Sequence, residues 1–64
     1  MKYPEIEVQL TGEDGNAFAI MGAVAAGLKR AGVARSEVAQ YRAEAMMGDY
    51  NNLLRVSMEW VNVQ

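Results

Sequence analysis

The sequence predicts an α+β fold: a short N-terminal strand, three helices, and a short C-terminal strand pairing with the first. Three observations carry this prediction. Residues 5–10, EIEVQL, alternate strictly between polar and apolar, which is the period of a half-buried strand. Residues 16–31, NAFAIMGAVAAGLKRA, form the longest apolar run at helical spacing. The tail VNV at 61–63 reads as extended, and a strand must find a partner. Within the chain that partner is strand 5–10; otherwise it is the strand of a second subunit.

Sixty-four residues make one domain, 1–64. A chain this short buries only about 60% of the surface its unfolded form exposes, close to the lower limit for folding alone. It has no cysteine and no histidine. Disulfides are therefore impossible, and a metal site would need carboxylates alone. Oligomerisation is the stabilising device left to it. Composition thus points to a homo-oligomer, a dimer first.

In the first strand Ile6, Val8 and Leu10 face one way, while Glu5, Glu7 and Gln9 face the other. Pro4 is expected to cap its start, where a missing donor is harmless. Residues 11–15, TGEDG, make a tight polar loop. Asp14 or Asn16 is placed to cap the helix that follows.

That first helix has two apolar sides. Ile20, Met21, Val24, Leu28 and Ala31 make the bulky one; Ala19, Gly22, Ala23 and Ala26 make a second that is almost without bulk. A helix with two apolar sides has two partners. One is the rest of its chain, and the smooth side takes either that chain's other helices or a second molecule. Phe18 lies off the main stripe, against the strand or at the edge of the smooth side. Gly22 and Gly27 each cost about 1 kcal/mol of helix propensity relative to alanine, so each calls for a reason. Lys29 and Arg30 fill the last turn and Gly32 stands at the stop position.

Ser36 is the expected N-cap of a second helix over 37–47, with Val38, Tyr41 and Ala45 inward and Glu37, Gln40 and Glu44 in water. Gly48 ends it, and Asp49 at once caps the next segment. Residues 50–61 fit a helix with Tyr50, Leu53, Leu54, Met58, Trp60 and Val61 on one face, leaving Val56 and Ser57 misplaced. They also fit a strand in which Val56, Met58 and Trp60 alternate with charged and polar residues. The Asp49 cap and the Leu53–Leu54 pair favour the helix. Trp60 is large enough to fill the end of so small a core.

Eight acidic and six basic side chains give a net charge of −2, a balance that disfavours nucleic acid and anionic membranes as partners. No apolar signal core opens the sequence, and the first helix is too short and too charged at its end to span a bilayer. The cytoplasm is the default location.

No enzyme signature is present. TGEDGN lacks both the Walker and the dinucleotide patterns, and Glu13 and Asp14 repel phosphate. Glu13, Asp14 and Asn16 offer three oxygens for a weak cation without the EF-hand ladder; an ordinary strand-to-helix turn is the simpler reading. Glu5 and Glu7 share a strand face, but acid/base chemistry needs a desolvated acid in a pocket. Ser36 and Ser57 have no histidine to activate them, and Lys29 lacks supporting context as a base. No catalytic residue, metal site or cofactor is expected.

The alternative with most support is a helix-turn-helix over residues 28–45, with Lys29, Arg30, Arg35, Gln40 and Arg42 as nucleic-acid contacts. Against it, Leu28 stands where a small residue is wanted, and Glu37 and Glu44 sit on the would-be recognition helix. The preferred reading is a small interaction protein that self-associates. Ala19, Gly22, Ala23 and Ala26 are its contact residues, since small residues four apart let another helix approach closely. Met47 offers soft apolar surface as well.

EVQLTGEDGNAF at 7–18, LKRAGV at 28–33, GDYNNLL at 48–54 and MEWVNV at 58–63 resemble a family of small bacterial and phage-borne proteins of unassigned activity. The resemblance spans nearly the whole chain. It implies a compact standalone protein and transfers no catalytic residue or ligand.

Overall fold

The computed structural model describes residues 2–9 and 16–64. Its elements are β1 (Tyr3–Val8), α1 (Ala17–Arg30), α2 (Arg35–Ala45), α3 (Tyr50–Trp60) and β2 (Val61–Val63). The two strands form a parallel sheet. Parallel strands need a long crossover, and here the three helices supply it. The fold is the α+β arrangement expected, with the terminal strand closing on the first.

Local chemistry sets each boundary. Asn16 caps α1, its side-chain oxygen accepting from the amides of Phe18 (2.9 Å) and Ala19 (3.3 Å). At the other end Val33 N donates to Leu28 O and Gly32 N to Lys29 O, both at 3.0 Å. This is a Schellman turn, with Gly32 at φ 85° in the left-handed region that favours glycine. Asp49 caps α3 by accepting from Asn52 N at 2.9 Å. Residues 10–15, and with them the cation reading at Glu13 and Asp14, lie outside the described residues.

The core joins all five elements. Ile20, Val24, Ala25 and Leu28 of α1 meet Ile6 and Val8 of β1, Val38, Tyr41 and Ala45 of α2, Leu53, Val56 and Trp60 of α3, and Val61 of β2. Gly27 faces β1. A Cβ there would stand 3.0 Å from Val8 Cγ2 and 3.6 Å from Ile6 Cγ2. Glycine therefore lets α1 lie directly on the strand.

Four local expectations are corrected. β1 begins at Tyr3, not Glu5, because Lys2 N donates to Glu59 O at 2.7 Å and Tyr3 pairs with Val61. Pro4 falls where the register shifts between Tyr3 and Glu7, so its missing donor breaks no regular ladder. α2 begins at Arg35 with Ala34 as an N-cap that makes no side-chain bond. Starting there, the amides of Glu37 and Val38 reach Ala34 O, which leaves Ser36 exposed and uninvolved. Ala31 is an exposed C-cap, not part of the inner stripe.

The fourth correction concerns α3, whose buried face is Leu53, Val56, Ser57 and Trp60. Tyr50 and Met58 are exposed and Leu54 is half-buried. The helix is turned so that Ser57 Oγ meets Tyr41 Oη at 2.7 Å, a fully buried hydroxyl pair. Each group satisfies the other, so a serine is tolerated in the core.

Candidate interaction surfaces

Along α1, Phe18, Gly22 and Ala26 recur every fourth residue and all three are exposed. The row is about 12 Å long at about 1.5 Å rise per residue. Phe18 is 75% exposed, and a Cβ added at Gly22 would meet nothing within 4 Å. Ala19 and Ala23 flank the row and are half-buried, Ala23 packing against the core. The smooth side of α1 is thus only partly covered by its own chain, and Phe18 marks its edge.

A second apolar surface runs from the α2–α3 corner along α3. Met46 and Met47 project there, Met47 at 81% exposure. Tyr50, Leu54 and Met58 continue it at every fourth residue. Met47 therefore sits on a different element from the α1 row. Asn52 holds this corner, donating from Nδ2 to Glu44 O at 3.1 Å.

The third surface is polar and gathers around Trp60. Its indole Nε1 donates to Glu44 Oε1 at 3.1 Å. Tyr41 meets it edge-on at a centroid distance of 5.7 Å, and Tyr3 lies at 6.1 Å. Lys2 Nζ sits 4.1 Å from the ring centroid. Tyr3 Oη donates to Glu37 Oε1 at 2.6 Å, and that bond is the first cause raising the Tyr3 pKa. Glu44 is lowered, first by the hydrogen bond from Gln40 and then by that from Trp60. Burial, partly offset by the Ser57 bond, raises Tyr41. Glu37 and Glu44, expected in water, are half-buried and bonded.

Lys29, Arg30, Arg35, Gln40 and Arg42 are all exposed. Arg35 and Arg42 lie seven residues apart, nearly two turns at about 3.6 residues per turn, and share a flank of α2. Gln40 lies on the other flank, where Nε2 donates to Glu44 Oε2 at 3.0 Å. The five residues do not converge on one face.

Among the described residues there is no pocket and no group of three acids able to hold a metal. None of the described helices is long and apolar enough to cross a membrane. Glu5 and Glu7 are exposed on the strand face away from the helices. Sequence reasoning missed Ser57 and Asn52. Ser57 had a readable signal, since Leu53, Val56, Ser57 and Trp60 follow the i, i+3, i+4, i+7 spacing of one helix face; Asn52 had none. No family model, no curated protein and no solved structure matches the chain.

Proposed function

We propose that this chain is a small, non-enzymatic interaction protein of the bacterial or phage cytoplasm that pairs with a second copy through the outward face of α1. The observation that carries the reading is Phe18 at 75% exposure, aligned on one row with Gly22 and Ala26. Single exposed apolar residues are ordinary. A large one in line with two smooth positions is a knob beside a hole. A two-fold axis at Gly22 sets Phe18 of each copy over Ala26 of the other and brings the two helices close at the glycines. The chain's size supports the same reading, because a domain this small without staples gains from association.

The test is solution mass by light scattering over a dilution series, for the wild type and Gly22→Leu, with circular dichroism to follow the fold. The expected result is a dimer that Gly22→Leu converts to a folded monomer. A wild-type monomer throughout, or a variant that stays dimeric, overturns the reading.

The helix-turn-helix alternative draws support from the Gly32 turn and from four exposed cations on either side of it: Lys29 and Arg30 before, Arg35 and Arg42 after. The Gln40–Glu44 bond weakens it, taking the amide best suited to reading a base. It requires duplex binding that weakens steeply with salt and is lost in Arg35→Ala/Arg42→Ala.

A further inference from the structure

We propose that the outer edge of β1 docks an extended segment of a partner protein, one carrying lysine or arginine at alternate positions. Among the described residues β1 pairs only with β2, which has three residues to its six. Gln64 N donates to Val8 O at 2.9 Å, so the peptide groups of Val8 face β2. Peptide groups alternate along a strand, and those of Glu7 and Gln9 therefore face the opposite edge. Pro4, Glu5, Glu7 and Gln9 are all exposed. A third strand added at this edge extends the backbone ladder.

Charge selects the occupant. Glu5 and Glu7 stand on the same face, about 7 Å apart along the strand, and among the described residues neither lies within ion-pair distance of a lysine or arginine. A strand added at this edge places alternate side chains directly beside them, where opposite charges attract and like charges repel. A second copy of β1 is a poor fit. Side chains on one face meet their odd-numbered counterparts across a two-fold axis. Every antiparallel register pairing more than three residues then sets Glu5 or Glu7 against an acid of the other strand. The same acids guard the edge against self-pairing. A basic extended segment meets neither obstacle.

The probe is a fluorescein-labelled peptide alternating lysine and valine, followed by anisotropy at low and physiological salt. One control alternates glutamate and valine; another carries the same lysines in one block followed by the valines. Binding by the alternating basic peptide alone, with hydrogen exchange at the Glu7 amide slowed at least tenfold on saturation, is the expected result. Glu5→Lys/Glu7→Lys is expected to weaken binding about tenfold, as two cross-strand pairs change from attraction to repulsion. Glu7→Pro removes the outward donor and is expected to abolish it, while retention of the helical circular dichroism signal shows each variant folded. Equal binding of the lysine-block peptide, an unchanged Glu7 exchange rate, or undiminished binding by the folded double variant overturns the proposal.

Discussion

Gly22 and Gly27 lie on the same helix and carry the same propensity cost, yet only one has an internal reason to be glycine. At Gly27 a side chain would press into Val8 and Ile6, so the residue sets the distance between α1 and β1. At Gly22 a Cβ would meet nothing. The fold of the single chain is indifferent to that position. A glycine that costs helix stability and gains no internal contact is the kind of residue a close external contact explains. The comparison thus separates the face of α1 that builds the domain from the face left for another molecule.

Breaking the inner side has the largest effect. Gly27→Leu forces several carbons between α1 and β1, where a single Cβ already stands 3.0 Å from a buried methyl. We expect a loss of about 3 kcal/mol, the upper end of overpacking costs, read from urea unfolding. Stability within experimental error of wild type contradicts the role assigned to Gly27.

The buried hydroxyl pair comes next. Tyr41→Phe leaves Ser57 Oγ buried without its partner and is expected to cost about 1–3 kcal/mol. Tyr41→Phe/Ser57→Ala removes both polar groups and is expected to recover much of that loss. Two equal, additive single losses in the same unfolding measurements rule out the coupling. Titration gives a second readout. Burial raises the Tyr41 pKa above 10.0 in the folded chain, so the neutral phenol favours folding. Its contribution is complete below the unfolded value and is lost as pH rises through the folded one. Tyr41→Phe is expected to flatten this alkaline decline.

The two sides of α1 also differ in how legible they were. Ile20, Val24 and Leu28 recur with the helical period, and burial confirms them. The smooth side was visible as composition, but whether the chain covered it depended on how far α2 and α3 wrap around α1, and spacing along one helix cannot supply that. On α3 the error had a definite cause. Ranking residues by hydrophobicity put Tyr50 and Met58 inside and Ser57 outside, whereas a hydroxyl partner on α2 reverses the order. The acids of α2 depart from their helical pattern for the same reason: Glu37 and Glu44 face water only until Tyr3 and Trp60 arrive from distant elements.

On the outer side, changes are expected to separate stability from association. Gly22→Ala adds helix propensity without a clash and is expected to stabilise the monomer by about 1 kcal/mol. Phe18→Ser removes an exposed ring and is expected to shift monomer stability by no more than about 0.5 kcal/mol, as for other surface changes, while weakening the dimer. Unfolding at a concentration where the chain is monomeric, beside a dilution series, measures both. A large stability loss in Phe18→Ser returns Phe18 to the core side and removes the contrast.

The smallest effect lies at the mouth of the core, where Glu44 accepts from Gln40 and Trp60. Both bonds favour the carboxylate, and its pKa lies below the ordinary 4.5. A depressed folded pKa means that ionised Glu44 favours the folded state. That contribution is present above the unfolded pKa and is lost as pH falls through the folded value. Glu44→Gln keeps an oxygen for Trp60 but removes the titration. Its acid unfolding curve, followed by Trp60 fluorescence, is expected to lie closer to a flat baseline between those two pH values than that of the wild type. Gln40→Ala removes the first cause of the shift and is expected to move the wild-type acid transition upward in pH. An unmoved transition in both variants means that Glu44 only lies beside the indole, and that aromatic packing with Tyr3 and Tyr41 holds Trp60 in place.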